Sequence, residues 1–286
     1  MTSAPPAAAH WRTARRSLAL DRSIIAGILN ITPDSFSDGG RHLTVAAALA
    51  AARAMREQGA AILDVGGEST RPNAAPVSEA EEIARVIPVV EAVLGEELPV
   101  SIDTRRASVA RAAVRAGAEI VNDVSGLAFD PSMADAVAEL GVGVVIMHMR
   151  GEPGTMDAEA NYDDVAAEVA AELESRRDAA LRAGVAADRI VLDPGLGFAK
   201  RSEHNLQVLA RLSVFLGLGQ PIMVGPSRKR FLGAITGRGV EDRDAATAAA
   251  CVAARMLGAS LFRVHDVGGS KVALDVADAI LSARHG

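Results

Sequence analysis

The fold class predicted from this sequence is α/β, a single-domain (β/α)8 TIM barrel, and three observations carry that reading. Eight short, apolar, mostly β-branched runs recur along the chain, and seven of them stop abruptly on a polar or ionisable residue. Such runs read as strands buried on both faces, as in a parallel sheet. Alanine-rich segments with helical spacing separate the runs, so strand and helix alternate eight times, which implies right-handed crossovers. Finally, the chain has 286 residues, 49% of them hydrophobic. A barrel of this kind needs about 250 residues.

The first run, IIAGILN, ends at Asn30, and a long polar loop leads to a helix expected from about Thr44 to Gln58. AAILDVG carries Asp64, then a second long loop precedes a helix opened by Ser78. Glu81, three residues on, makes a capping box. PVSID ends at Asp103, EIVND at Asn122 and Asp123, GVVIMH at His148 and RIVLDPG at Asp193. Helices are expected near 106–116, 131–140, 163–183 and 202–212. The seventh run, PIMVGPSRK, passes into Ser227, Arg228 and Lys229, where Ser227 reads as a helix start. LFRVHD brings Arg263 and His265, and helices over 242–257 and 269–283 complete the chain. Residues 1–20 read as a partly disordered N-terminal extension, with a first structured segment near Trp11–Leu20, and 21–286 as the barrel. An open doubly wound sheet is the structural alternative. No G-x-G-x-x-G follows the first run to favour it.

The net charge of −6 argues against non-specific nucleic-acid binding. No apolar run approaches the roughly 18 residues needed to span a bilayer. The first 20 residues lack an apolar h-region and a cleavage site, so no signal peptide is expected. Cys251 is the only cysteine, which precludes an intrachain disulfide and fits a cytoplasmic location. It lies in an alanine-rich helical stretch and is expected to be packed and inert.

In a closed parallel barrel the carboxyl ends of the strands form the rim where chemistry is placed. Asp103 and Asp193 would approach one cavity from different sides. A carboxylate pairs well with an amidine-like N–H/NH2 edge. Asn122 adds a donor and an acceptor, and Lys229 a cation. Together they complement an aminopyrimidinone-type heterocycle, although the same residues would also serve as a structural ion-pair network. Arg71, Arg228, Lys229, Arg263 and His265 supply positive charge for an anion, since loops after strands seven and eight are a recurrent phosphate site. The basic run 228–230 also reads as a solvated face, and Arg230 in particular as that. His148 reads as a packed histidine. No His/Cys cluster has zinc spacing. A bound metal would be magnesium, held mostly by substrate phosphates, with Asn30 a candidate ligand. GLGFAK (195–200) reads as a tight turn that brings Phe198 to the cavity. The loops ITPDSFSDGGRH and GGESTRPNAAP are longer than the usual 2–6 residues, as lids over a site often are, and as ordinary solvated loops sometimes are.

GILNITPDSFSDGG (27–40), DVGGESTRPNA (64–74), SIDT (101–104), NDVSG (122–126), MHMRG (147–151), DPGLGFAK (193–200), GPSRKRFLG (225–233) and RVHDV (263–267) closely resemble the dihydropteroate synthase family. The match runs in order from about residue 24 to the C-terminus. The resemblance implies condensation of 6-hydroxymethyl-7,8-dihydropterin diphosphate with 4-aminobenzoate to 7,8-dihydropteroate and diphosphate, in folate synthesis. It implies a pterin pocket at Asp103, Asn122, Met147, Asp193, Gly197, Phe198 and Lys229. The diphosphate site would fall on Asn30, Thr70, Arg71, Arg263 and His265, with Asn30 on Mg2+. The 4-aminobenzoate site would fall on Phe36, Thr70, Pro72, Ser227 and Lys229. Asp34 would offset positive charge on the pterin methylene. A homodimer through barrel helices is also implied. Arg230 stands where the family commonly has a small residue.

Two other classes compete. A methyltetrahydrofolate:corrinoid methyltransferase would share the acid–amide ring but need no diphosphate, so the cations Arg71, Arg263 and His265 speak against it. A non-catalytic pterin-binding paralogue would show damage in the first two loops, and both are intact here.

Overall fold

The computed structural model describes residues 10–31, 41–69 and 77–284, the side chains of 41–44 excepted. A two-stranded antiparallel hairpin comes first, β1 (His10–Arg12) and β2 (Ser17–Ala19). Eight parallel strands follow: β3 (Ile24–Asn30), β4 (Ile62–Gly66), β5 (Val100–Asp103), β6 (Ile120–Asp123), β7 (Gly143–Met147), β8 (Ile190–Asp193), β9 (Met223–Val224) and β10 (Leu261–Val264). Their order is β8-β7-β6-β5-β4-β3-β10-β9, and a bridge between Leu192 and Ile222 joins the two edge strands. The barrel expected from the alternating pattern is therefore present and nearly closed.

Around it run α1 (Arg41–Glu57), α2 (Glu79–Val93), α3 (Ala107–Arg115), α4 (Met133–Leu140), α5 (Val165–Arg182), α6 (Ser202–Ala210), α7 (Ser213–Leu216), α8 (Arg230–Thr236), α9 (Asp244–Met256) and α10 (Val267–Ser282). The helix expected over 202–212 is present as α6, and the short α7 follows beyond it. α8 is anticipated in the sequence only as a helix start at Ser227, because its seven residues are too few to show a period. It begins at Arg230 with Lys229 as N-cap, so Ser227 does not start a helix. Ser78 caps α2 by accepting from Glu81 N at 3.3 Å, but the Glu81 carboxylate pairs with Arg85, so only half of the expected capping box forms.

The core has two layers separated by the strands. Ile25, Leu63, Ile102, Val121, Ile146, Leu192, Val224 and Phe262 face outward and pack against the helices. Ala26, Ile62, Ile120, Val145, Val191, Met223 and Leu261 fill the barrel interior, where Trp11 of the hairpin plugs them from the amino-terminal end. Trp11 is fully buried, and its indole N–H donates to Arg189 O at 2.8 Å. Burying so large an aromatic stabilises by a few kcal/mol, which makes the hairpin part of the barrel's floor. Cys251 is buried in α9, and burial pushes its thiol up to about 12, consistent with an inert residue.

Candidate active site

Strand pleating positions the site. Side chains two residues apart face the same side of a strand. Two residues beyond the apolar interior layer, the inward positions are therefore Asp64, Asn122, Met147, Asp193, Gly225 and Arg263. Register reinforces this: Asp103 lies opposite Gly66 and Asn122, and Met147 opposite Asp193. One step of the pleat thus converts a dry floor into a polar rim.

The rim opens into a cavity of about 1910 Å³. Asp103, Asn122, Met147, Asp193, Gly197, Phe198 and Lys229 all line it. So do Asn30, Ser227, Arg263 and His265. Asp34, Phe36, Thr70, Arg71 and Pro72 lie outside the described residues.

Arg263 is the hub. Its Nε donates to Asp64 Oδ2 and its Nη2 to Asp103 Oδ2, each at 2.6 Å. That leaves Nη1 without a partner among the described residues. Burial works against the charged guanidinium, but the two carboxylates outweigh it and raise its pKa. Burial likewise lifts Asp103, against the pull of Arg263. Asn122 Nδ2 donates to the same Asp64 oxygen at 3.2 Å. Asp64 therefore aims both Arg263 and Asn122. It was noted in the sequence only as a strand-end acid, and period-2 counting from Ile62 was the signal that could have placed it inside.

Across the cavity, burial raises Asp193 to about 6, opposed by the Gly195 N–H and by Lys229, Lys200 and Arg263. Its Oδ1 accepts from Gly195 N at 2.7 Å. Burial and the nearby Arg263 lower Lys229 to about 8. The Lys229 ammonium lies 4.0 Å from the centre of the Phe198 ring, a cation–π contact. Gly195 has φ +69°, and a Cβ there would come within 1.9 Å of His148 O, so only glycine fits this turn.

Ser227 Oγ accepts from His265 N at 3.1 Å and lies 2.8 Å from His265 Nδ1. This pair fixes the orientation of the His265 ring at the cavity wall. Arg228 takes no such part. Asp244 grips it through Nε and Nη2, both at 2.8 Å, and Glu241 through Nη1 at 3.1 Å. Arg230 is exposed and pairs with Asp157 at 2.8 Å, a solvated position as the sequence reading had it.

A group missed by sequence reasoning lies beneath the 195–200 turn. Lys200 is 4% exposed, and its ammonium meets His148 Nδ1, Gly195 O and Phe198 O at 2.9, 3.1 and 3.0 Å. His148 in turn contacts Glu172 at 3.0 Å. These partners are far apart in sequence, so no local pattern marks them.

Among the described residues, no group of three or more His, Cys, Asp or Glu side chains could hold a metal. A Cβ added at Gly66 would lie 3.6 Å from Asp103 Oδ2 and 3.8 Å from Asn30 Oδ1. Asp103 Oδ2 is already taken by Arg263, which leaves Asn30 Oδ1 as the hard oxygen at this point of the rim. That donor set fits a Mg2+ held chiefly by phosphate oxygens and does not fit a cation caged by protein alone.

Residues 26–265 match the family described as pterin binding enzyme. The chain is 45% identical over 269 residues to dihydropteroate synthase of Escherichia coli K12, covering 94% of this chain and 95% of that protein. It spans only about half the length of the mitochondrial folate synthesis bifunctional protein of Arabidopsis thaliana, with 46% identity over 282 residues. The structure of Xanthomonas albilineans dihydropteroate synthase with 4-aminobenzoic acid superposes with a TM-score of 0.90 at 48% identity, covering 96% of this chain and 98% of that one. The same enzyme in complex with 7,8-dihydropteroate gives 0.86 at 46% identity over 95% and 98% of the two chains. With this fold, this rim and these relatives, the chain belongs to the dihydropteroate synthase family of pterin-binding enzymes.

Proposed function

We propose that this protein condenses 6-hydroxymethyl-7,8-dihydropterin diphosphate with 4-aminobenzoate, forming 7,8-dihydropteroate and releasing diphosphate. The observation that carries the reading is the convergence of Asp103, Asn122, Asp193 and Lys229 on one cavity with Arg263 and His265. The pterin amino-pyrimidinone edge presents adjacent N–H donors. Asp193 accepts from them, while Asn122 and Lys229 satisfy the ring's remaining polar atoms. Met147 and Phe198 cover the flat faces. Such a buried acid–amide set rejects a ring that lacks the matching donors.

Breaking the methylene–oxygen bond sends an electron pair to diphosphate and leaves positive charge on the pterin methylene, which the ring nitrogens delocalise. Arg263 Nη1, which has no partner among the described residues, and the His265 ring, which also lines the cavity, are the groups that stabilise the departing anion. Arg263 is held in position before substrate arrives by Asp64 and Asp103, so little reorganisation accompanies departure. The arylamine attacks as a neutral nucleophile, forms the carbon–nitrogen bond and then loses a proton, so no strong base is required. Ser227 and Lys229 receive the 4-aminobenzoate end. Asn30 would hold Mg2+ against the diphosphate, and the cation supplies charge neutralisation of the leaving group.

The protein is further proposed to comprise a pterin-binding barrel over 21–286 and to act in the cytoplasm as a homodimer. Among the described residues no helix is long and apolar enough to cross a membrane. Val272, Val276 and Ile280, spaced four apart on α10, are 70%, 58% and 49% exposed, an apolar stripe suited to a second copy. A corrinoid methyltransferase has no use for the cations facing the diphosphate end. The test is diphosphate release from the pterin diphosphate. It should require both 4-aminobenzoate and Mg2+. Release independent of the arylamine, or none, rejects the reading. Lys229→Ala should weaken pterin binding, whereas Arg263→Ala should mainly slow diphosphate departure.

A further inference from the structure

Lys200 and His148 are buried, and although Lys200 reaches the wall of the cavity, the mechanism above uses neither. An ammonium is rarely buried without a function or a close partner. Here its partners are unusually specific. Two are carbonyls, Gly195 O and Phe198 O, of the turn that carries Gly197 and Phe198 into the cavity. The third is His148 Nδ1 at 2.9 Å. An ammonium has three donors and no acceptor, so all three are spent and Nδ1 must be the accepting nitrogen. The His148 proton then sits on Nε2 and donates to Glu172 Oε2 at 3.0 Å. Glu172 is held from outside by Arg150 Nε at 2.8 Å. One polarised chain thus runs from the surface of α5 to the underside of the pterin pocket.

We propose that Lys200 is a positioning residue for the pterin pocket: it clamps the 195–199 turn and supplies the positive charge that keeps the Asp193 carboxylate ionised from behind. This rests on the pterin reading of the cavity. The turn needs a clamp because, beside Gly195 and Gly197, which take φ of +69° and +79° freely, Ala199 is held at +47°, a left-handed conformation its Cβ disfavours. The charge is needed because a pterin amidine edge is bound by carboxylate and not by carboxylic acid.

The groups facing each partner are few. Asp193 is faced by the Gly195 N–H, Lys229, Lys200 and Arg263. Lys200 is faced by Asp193, Arg176, Glu172 and Arg150, together with His148. Burial pulls Lys200 down to about 7 and His148 down to about 3. The histidine therefore stays neutral at working pH, and Lys200 is the group of the pair that carries charge, as pH falls through about 7.

The experiment uses the full chain with Lys200→Met and Lys200→Gln. It measures the melting temperature, pterin-diphosphate affinity as a function of pH, and the KM for 4-aminobenzoate. The expected result at neutral pH is a pterin affinity lower by about tenfold, an acid limb of binding displaced to higher pH, and an unchanged 4-aminobenzoate KM. An acid limb that stays at the wild-type position in a folded variant overturns the proposal. So does failure of both variants to fold, which would make Lys200 a structural residue only. Asp193→Asn is the control. If it too leaves pterin affinity intact, the pocket reading itself fails and takes this proposal with it. If it weakens binding while the Lys200 variants do not, the proposal alone fails.

Discussion

At the amino-terminal end of the barrel, the buried Glu119 carboxylate is met by Thr13 Oγ1 at 2.6 Å, by Arg15 at 3.2 Å and by Arg16 at 3.2 Å. Both its oxygens are taken. At the carboxyl end, Asp193 is buried and Asp103, Lys229 and Arg263 are partly buried, and they keep lone pairs and donors directed at a cavity. The two ends share strands, and their inward positions differ by one or two steps of the pleat. Charge at the floor is satisfied by the protein, whereas charge at the mouth is left for a ligand to satisfy. The floor should therefore report on stability and the mouth on binding.

The largest expected effect breaks the floor. Trp11→Ala should cost about 3–5 kcal/mol of folding free energy, measured by urea unfolding. Pterin affinity of the folded fraction should be unchanged, and a parallel loss of affinity would mean the two ends are coupled. Next, Asp193→Asn should weaken pterin-diphosphate binding by about 100-fold, the cost of losing a charged hydrogen-bond acceptor. The free protein should melt no lower, because folding disfavours the ionised carboxylate here. A large drop in melting temperature would place Asp193 among the residues that hold the barrel together.

The smallest effect sharpens the contrast through pH. Asp193 is raised from 3.8 to about 6 in the folded chain. The folded state therefore holds its proton more tightly. The stability this contributes is complete below the ordinary carboxylate value and is lost as pH rises through about 6. Pterin binding needs the carboxylate and so moves the other way, weakening as pH falls below about 6. Calorimetric titration against thermal melts over that range should show the two quantities changing in opposite senses for wild type. For Asp193→Asn this dependence should disappear.

Much of this arrangement was legible in the chain. Runs such as RIVLDPG announce both a buried strand and a polar tip, because burial on two faces demands continuous apolar residues and the rim demands their end. Asp103, Asn122, Asp193 and Lys229 could be assigned to one cavity on that logic. What escaped depends on contacts between distant segments. The hairpin around Trp11 closes on Arg189, 178 positions away. Lys200 reaches back 52 positions to His148. Arg228 reads like its neighbour Lys229 until Asp244 is seen to claim it. Short α8 falls below the length at which periodicity speaks.

The two-residue β9 has a mechanical consequence. Its contact with β8 consists of one bridge, Leu192 to Ile222, and the amide of Leu192 reaches over to Pro221 O at 3.0 Å. This is the weakest seam in the stave-work of the barrel, and Asp193 and Lys229 stand on its opposite lips. On the proposed pterin reading, a bicyclic ligand gripped by both would be a rivet across the joint, and occupancy would complete the hoop.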